Sequence, residues 1–310
     1  MTDKQPPPDL KQKLQCDAIC KQILSWKAIL ARIMKECLEE YKDCDVDEIE
    51  TKFIEGTPEV LVEPVFPEDA RKAILGTDTS DKSSSEGDVT FDICFRARIP
   101  HSNAQLGLII NVEAQSDFYP GYPLPKRGLY YCARLISSQR GKTFTGKHYE
   151  KLEKVYSIWI CFDPPIKRRN TITRYLITED HMVGNVCEPV KNYDLLSVIM
   201  VCLGNLNETD PDGILRLLDT IFSDIDPKEK IRTMQDDFGI PMEPAMEREV
   251  HNMSGYGDVV FARGVDKGRI ESIETLMKKM NLSANEAMDL LEIPKADQQN
   301  YLDMLKPQCA

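Results

Sequence analysis

VTFDICFRA, residues 89–97, and LGLIINVEAQ, residues 106–115, are the two stretches of the 310-residue chain that decide its fold. Apolar side chains recur at every second position of both stretches, which is the period of a β-strand. The alternate positions carry Asp92 in the first stretch and Glu113 with Gln115 in the second, so Glu113 and Gln115 share one strand face. Few residues separate the two stretches, which predicts an antiparallel hairpin.

The elements around this hairpin predict a mixed central sheet flanked by helices. Apolar residues at helical spacing predict one amphipathic helix over residues 22–41 and a second over residues 126–139. The second helix leads into the apolar strand VYSIWICF, residues 155–162, and a crossover helix between two strands predicts that they pair in parallel. TITRYLIT, residues 171–178, is predicted to be an edge strand. The fold class is therefore α/β.

Composition divides the chain into four parts. We expect a disordered N-terminus over residues 1–20, because its first residues are polar and rich in proline. The main domain follows over residues 21–206, and within it the polar run over residues 77–88 is predicted to be a loop. Residues 207–250 are assigned to a helical extension and linker, and residues 251–310 to a helical C-terminal tail.

Helix signals support the last two parts. The apolar run DLLSVIMVCLGNL, residues 194–206, is predicted to begin the helical region. The pairs Asp210-Pro211 and Asp226-Pro227 each place a capping residue before a first-turn proline, and Ser283 with Glu286 forms a capping box. The acidic stretch over residues 236–249 is predicted to be a linker.

The net charge of −12 limits how this chain could bind nucleic acid. Coating DNA by bulk attraction requires a positive surface, so any DNA contact must be local. The candidates are the basic side chains within residues 134–154 and the run Lys167-Arg168-Arg169. A solvated helix face and a basic loop are the alternatives for these two segments.

Several classes of protein and site are disfavoured. The ten cysteines include no C-x-x-C pair and the four histidines form no H-E-x-x-H pattern, so we expect buried free thiols rather than structural zinc. We expect a cytoplasmic protein with no membrane partner, since the sequence has neither an apolar run of about 20 residues nor a signal segment at its start. The pair Gly255-x-Gly257 lacks the third glycine of a nucleotide-binding loop, which predicts a connector and no nucleotide cofactor.

Asp92 and Glu113 are the residues that suggest chemistry. An unpaired carboxylate in a buried strand costs several kcal/mol to desolvate, so something must compensate it. Two carboxylates that meet across a hairpin form an oxygen-rich pocket suited to Mg²⁺ or Mn²⁺. Gln115, on the same face as Glu113, could hold a water molecule or a phosphate. On spacing alone, the alternative is a pair of carboxylates on the solvent face of the sheet.

The order of these elements resembles that of the PD-(D/E)XK nucleases, in the branch of PD-(D/E)XK nuclease family transposases. Those proteins carry an Asp on one hairpin strand and (D/E)-x-K on the next. Here the corresponding residues are Asp92 in FDICF and Glu113-Ala114-Gln115 in IINVEAQ, with Gln115 in place of the usual Lys. The resemblance extends from Trp26 to about Leu206 through GYPLPKRGLYYCARLISSQ, YSIWICFDPP, RNTITRYLI and NYDLLSVIMVCLGN, and more loosely into the tail.

The resemblance implies a restriction-endonuclease-like core and a metal-dependent DNA endonuclease linked to recombination or a mobile element. It implies that Asp92, Glu113 and the main-chain carbonyl of Ala114 bind one or two Mg²⁺ or Mn²⁺ ions, and that Gln115 positions the water or the phosphate. Double-strand cleavage needs two active sites, so a homodimer is an expectation rather than a deduction.

Three further side chains are implied by the same resemblance. Glu40 is the expected catalytic carboxylate from the preceding helix, although Glu36 or Glu39 could serve instead. Arg127 and Tyr131 share a helix face that borders the site and are assigned to substrate binding.

Two other functions remain open on the sequence. The first is a catalytically silent DNA- or protein-binding module that keeps the nuclease fold. The second is a glycosidase that uses Asp92 and Glu113 as acid and base, which would need an aromatic cleft from Trp159, Tyr119 and Tyr122. The tail helices could form a DNA-binding helix-turn-helix or a small oligomerisation unit.

Overall fold

The structure is a computed structural model that describes most of the chain. The described residues are 10–60, 80–81, 89–100, 107–204, 213–253, 269–270, 272–291, 293–295, 298, 301–302 and 305. The chain divides into two compact units. One unit spans Leu14–Ser254, and the other combines Met1–Lys13 with Gly255–Ala310.

A mixed sheet forms the centre of the larger unit. Among the described residues it has six strands in the order β1-β4-β5-β6-β8-β7, and β2 and β3 form a separate two-stranded sheet. The strands are β1 (Glu59–Val60), β2 (Ser80–Asp81), β3 (Val89–Thr90), β4 (Ile93–Arg98), β5 (Gly107–Asp117), β6 (Lys154–Asp163), β7 (Thr171–Leu176) and β8 (Leu196–Cys202).

The pairing of the hairpin strands and the crossover are both confirmed, but the predicted strand over residues 89–97 is interrupted, because Phe91 and Asp92 lie between β3 and β4. β4 pairs antiparallel with β5, with Ile93 opposite Val112. β5 then pairs in parallel with β6, which places Glu113 opposite Trp159. β7 is an edge strand, as predicted, and pairs antiparallel with β8.

Helices flank this sheet in sequence order. They are α1 (Leu10–Leu24), α2 (Lys27–Cys37), α3 (Val46–Glu48, continued as a π-helical turn over Ile49–Phe53), α4 (Leu124–Ser138), α5 (Gly213–Phe222), α6 (Pro227–Asp236) and α7 (Pro244–Asn252). Short 3₁₀ turns occupy Glu39–Tyr41, Tyr149–Lys151, Ile166–Arg168 and Val190–Asn192.

The prediction of one helix over residues 22–41 is wrong, because two helices occupy this part of the chain. The Ser25 hydroxyl donates a hydrogen bond to the Gln22 carbonyl, and Trp26 leaves the helical conformation with a ψ angle of 129°. At the other end Leu38 is extended, so the helix stops at Cys37 before the 3₁₀ turn that carries Glu40. The first helix begins at Leu10, inside the segment expected to be disordered.

α4 covers one face of the sheet and positions the candidate site. Its buried side chains pack with Trp159 of β6 and Val198 of β8 in a single hydrophobic core. Gly128 permits this approach, since a Cβ atom at that position would lie 2.5 Å from Val198 Cγ1. The strand face opposite Trp159 is also buried, as Ile158 and Ile160 show.

Two predictions beyond residue 192 are wrong. The apolar run over residues 194–206 forms the strand β8 rather than a helix. It pairs with β6 on one side and β7 on the other, and its side chains are buried on both faces, so the alternation that marks a strand is absent. The expected linker over residues 236–249 contains the first part of α7, where the Gln22 side chain binds the Glu249 carboxylate.

The predicted helix caps are confirmed where the structure describes them. Asp226 caps α6 by accepting a hydrogen bond from the Lys228 amide. In the smaller unit, Ser283 and Glu286 form the predicted capping box at the start of the helix Ala284–Leu290. That unit has its own small core around Ile273, Met288 and Tyr301.

Some expectations lie outside the described residues. They concern the hairpin connection over residues 101–106, the Asp210-Pro211 pair, the glycine-containing segment over residues 255–268 and most of the predicted loop over residues 77–88. Across the described part of the chain, no helix combines the length and the apolar character needed to cross a membrane.

Candidate active site

Asp92 and Glu113 meet across the β4–β5 hairpin. Asp92 lies immediately before β4, at the position that would pair with Glu113 if the register continued. The Asp92 amide donates a 3.2 Å hydrogen bond to Glu113 Oε1, and the Ala114 amide donates a 2.9 Å hydrogen bond to Asp92 Oδ2. Backbone amides of the hairpin thus bind both carboxyl groups and hold them in the same part of the site.

Both carboxyl groups are largely buried, and burial raises their pKa values. Glu113 is only 4% exposed, so burial, followed by repulsion from Asp92, raises its pKa well above the ordinary value. Burial also raises the pKa of Asp92, although the charge of Lys21 and the amide of Ala114 oppose that shift. Both shifts favour the protonated form of the carboxyl group.

Lys21 of α1 contacts this pair, and the sequence reasoning missed it. Its ammonium lies 3.0 Å from Asp92 Oδ1 and 2.7 Å from Asp17 Oδ2. Burial alone would lower the pKa of Lys21, but the nearby charges of Asp92 and Asp17 raise it. In the sequence, Asp17 and Lys21 form an ordinary i,i+4 helix pair, and nothing in that spacing links either residue to Asp92.

Arg127 and Tyr131 share a face of α4, as predicted. Arg127 Nε lies 3.0 Å from the Tyr131 hydroxyl, and Nη1 donates a 2.7 Å hydrogen bond to the Tyr122 hydroxyl. The guanidinium also lies over the rings of Tyr131 and Trp159, and its charge acts on Glu113. Tyr131 itself is 6% exposed and packs on Phe91, so it positions Arg127 rather than offering its own surface to a substrate.

Gln115 lies two residues beyond Glu113 on β5, opposite Cys161, and is partly exposed. Strand alternation places the side chains of Gln115 and Glu113 on the same face of the sheet. Ala114 contributes its amide to Asp92, so its main chain is already part of the site.

Glu40 is not at this site, which corrects the sequence prediction. Its carboxylate accepts a 2.7 Å hydrogen bond from the Tyr156 hydroxyl and lies 3.3 Å from Lys154 Nζ. Tyr156 and Trp159 are three positions apart on β6, so they point to opposite faces of the sheet. The physical cause is the end of α2 at Cys37, after which the extended Leu38 redirects the chain.

The two alternatives to Glu40 have partners elsewhere as well. Glu39 forms a 3.0 Å ion pair with Arg174 of β7, and Glu36 lies beside Gly213 at the start of α5.

The basic segments divide between the two ends of the parallel strands. Within residues 134–154, Arg134 is buried and Lys154 is paired with Glu40 and Asp194, so only part of the segment is a charged surface. The run Lys167–Arg169 follows the carboxyl end of β6. Arg127, in the first turn of α4, follows the carboxyl end of β5.

The donor atoms of the site fit a hard divalent cation. Carboxylate oxygens are the ligands that Mg²⁺ and Mn²⁺ prefer, and a cation would offset the repulsion from Asp92 that, after burial, raises the pKa of Glu113. Asp92 and Glu113 are the side chains that could hold it. Lys21 already neutralises one charge at Asp92, so a bound cation would have to share or replace that contact.

The aromatic cleft that a glycosidase would need is not formed by the three expected residues. Trp159 is fully buried beneath α4, while Tyr119 and Tyr122 are exposed. The structure therefore removes the main support for that alternative.

Comparison with known proteins leaves the family open. No protein-family model matches the chain, and no curated protein or solved structure shows significant similarity to it.

Proposed function

We propose that the chain is a metal-dependent DNA endonuclease of the PD-(D/E)XK type with a restriction-endonuclease-like fold. One observation carries this proposal, namely the buried contact between Asp92 and Glu113 at the end of a β-hairpin. A protein that used these residues only for stability would gain little from a buried Glu113 beside Asp92, because burial and the nearby charge both raise the cost of ionising Glu113.

Asp92 and Glu113 would hold one or two Mg²⁺ or Mn²⁺ ions. When bound, such an ion lowers the pKa of a coordinated water and neutralises charge on the scissile phosphate, so that phosphodiester hydrolysis needs no covalent intermediate. The Ala114 amide keeps Asp92 in place, and Gln115 orients the attacking water or the phosphate from the same strand face.

Lys21 would supply the positive charge that Gln115 lacks. The usual third residue of the motif is a lysine, and in this chain the ammonium nearest Asp92 among the described residues comes from α1 instead. A cation at that distance can stabilise negative charge that develops on a phosphate in the transition state.

Arg127 and the run Lys167–Arg169 would bind DNA phosphates. Both follow the carboxyl ends of parallel strands, which is where ligands commonly bind in α/β sheets. Tyr131 and Tyr122 fix the Arg127 guanidinium through hydrogen bonds to their hydroxyl groups. The net charge of −12 makes such local contacts necessary.

A catalytically silent nuclease-fold module that binds DNA or protein is the second candidate. It is favoured by the contacts that already satisfy Asp92, which binds both Lys21 and the Ala114 amide. In that case the ion pair with Lys21 would be the permanent state of the site. A cytoplasmic location, a homodimer and a role in recombination or a mobile element belong to the first proposal.

Plasmid cleavage tests the proposal. Purified protein is incubated with supercoiled DNA in Mg²⁺ or Mn²⁺, beside an Asp92→Ala, Glu113→Ala double variant, an EDTA control and Glu40→Gln as a matched variant away from the site. We expect nicking or linearisation that is lost in the double variant and in EDTA and retained in Glu40→Gln. A folded wild-type protein that cleaves no DNA form with either metal would favour the silent module.

A further inference from the structure

The connection between β7 and β8 carries a second group of metal-binding side chains. Glu179, His181 and Cys187 each place a potential ligand atom within 4.8 Å of the other two. This group combines a carboxylate, an imidazole and a thiol, and it is separate from the Asp92–Glu113 pair. Among the cysteines whose burial the structure describes, Cys187 is exposed and the others are buried.

The distance between the thiol and the imidazole matches that of a zinc site. Tetrahedral zinc with Zn–S of about 2.3 Å and Zn–N of about 2.0–2.1 Å separates the two ligand atoms by about 3.5–3.6 Å. Cys187 Sγ and His181 Nε2 lie 3.6 Å apart. A carboxylate oxygen of Glu179, the third potential ligand atom, lies within 4.8 Å of both.

Supporting contacts orient the carboxylate. The Glu188 amide lies 3.1 Å and 3.3 Å from the two carboxylate oxygens of Glu179, and the Glu188 side chain in turn binds Asn192. Metal ligands are commonly held in this way by an outer layer of hydrogen bonds.

Burial of apolar side chains does not explain how the β7–β8 connection keeps its conformation. Residues 177–192 are all exposed, including Met182 at 90% and Val183 at 97%. Connections longer than about 12–15 residues are uncommon in compact domains, and ordering each residue costs roughly 1–2 kcal/mol of conformational entropy. A cross-link between its two arms would offset part of that cost.

We propose that Glu179, His181 and Cys187 bind one Zn²⁺ that closes the β7–β8 connection, with a fourth position left for water. A thiolate and an imidazole select zinc over Mg²⁺, which avoids sulfur ligands. Binding releases the thiol proton of Cys187, and no redox step is involved. This site is independent of the proposed nuclease activity.

Metal analysis of the untagged full-length protein tests the site. We expect one Zn²⁺ per chain and, after exchange, the thiolate-to-metal absorption of tetrahedral Co²⁺. Both are lost in Cys187→Ser and His181→Ala and retained in Asp92→Asn and in His148→Ala, where another exposed histidine beside a glutamate is removed. Absence of stoichiometric zinc from the wild type, or its retention in Cys187→Ser, would overturn the proposal.

Protection of the thiol provides a second readout in the wild-type protein. Zn²⁺ should slow alkylation of Cys187 by iodoacetamide at least ~10-fold, as measured by mass spectrometry of its peptide, because the thiolate is the nucleophile and the metal ligand. An unchanged rate at saturating zinc would show that Cys187 Sγ and His181 Nε2 share only a hydrogen bond.

Discussion

Two clusters of charged side chains lie on opposite faces of the central sheet, and each contains a lysine between carboxylates. On one face, Lys154 binds both Glu40 and Asp194, and the Tyr156 hydroxyl donates a further hydrogen bond to Glu40. On the other face, Lys21 binds Asp17 and Asp92, and Asp92 in turn contacts Glu113.

The two clusters differ in how their carboxylates are arranged. Around Lys154 each carboxylate has the ammonium as a partner, and the tyrosine adds a neutral donor. Around Lys21 the buried Glu113 carboxyl group accepts a hydrogen bond from the Asp92 amide, and burial, followed by repulsion from Asp92, raises the pKa of Glu113. The first arrangement stabilises the fold, whereas the second concentrates negative charge that a cation could neutralise.

Neutralising one carboxylate on each face should affect activity very differently. Asp92→Asn removes a proposed metal ligand, so we expect plasmid cleavage to fall by about 100-fold or more, in line with the loss of a strong electrostatic contribution in other active sites. Glu40→Gln should leave cleavage within about twofold, because Glu40 lies on the other face of the sheet. Equal losses in the two variants would contradict the distinction between the clusters.

Replacement of the two lysines should also affect cleavage to different extents. Lys21→Met removes the cation next to Asp92, and we expect cleavage to fall about 10- to 100-fold. Lys154→Met should lower the free energy of unfolding and leave the cleavage rate per folded molecule unchanged. Single-turnover rates at saturating enzyme, corrected for the folded fraction by circular dichroism, would separate these effects. An unaffected Lys21→Met enzyme would remove Lys21 from the proposed site.

Folding stability should change with opposite signs on the two faces. In EDTA at pH 8, Glu113→Gln should raise the free energy of unfolding by about 1 kcal/mol or more, because it removes a buried carboxyl group whose ionisation is unfavourable in the folded state. Glu40→Gln should lower it by about 1.5–3 kcal/mol, since Tyr156 and Lys154 lose a charged partner. Urea denaturation of both variants beside the wild type measures the difference.

The pH dependence follows from the direction of the pKa shift. The pKa of Glu113 is higher in the folded state than in the unfolded state, so the cost of its ionisation is present at high pH. That cost disappears as the pH falls through the folded-state pKa towards the ordinary value of about 4.3. The gain from Glu113→Gln should therefore shrink in acid, and a gain that grows in acid would reverse the assignment.

Asp219 on α5 shows that a raised pKa alone does not mark an active site. Burial raises the pKa of Asp219 to about 6, and its contact is the Gly204 amide, 3.0 Å away, rather than a second carboxylate. Asp219→Asn should raise the free energy of unfolding by about 1–2 kcal/mol above pH 7, after the weaker amide hydrogen bond is allowed for, and should have little effect below pH 4. Cleavage should be unchanged. Urea denaturation measures the change in stability, and the plasmid assay measures cleavage.

The sequence was sufficient for the contact between Asp92 and Glu113. Alternation fixes which side chains share a face, and a short hairpin fixes the register, so both residues could be placed from local rules. The same rules predicted the parallel pairing of β5 and β6 and the position of β7 at the edge of the sheet.

The predictions that were wrong or missed concern residues whose position depends on contacts distant in the sequence. Lys21 reaches Asp92 from a helix about 70 residues earlier in the sequence, and helix spacing indicates only its pair with Asp17. The position of Glu40 depends on the residue at which α2 ends, and helix ends are the least certain part of a sequence prediction. β8 is buried on both faces, so its apolar run could not be distinguished from a helix by periodicity.

Metal binding measured by thermal unfolding tests whether Asp92 and Glu113 hold a divalent cation. Mn²⁺ or Mg²⁺ at about 100 times its dissociation constant should stabilise the wild-type protein by about 2.7 kcal/mol, because the ion binds only the folded state. We expect this stabilisation to persist in Glu40→Gln and Cys187→Ser and to be lost in Asp92→Asn and Glu113→Gln. Equal stabilisation of wild type and Glu113→Gln, or none in the wild type, would contradict it.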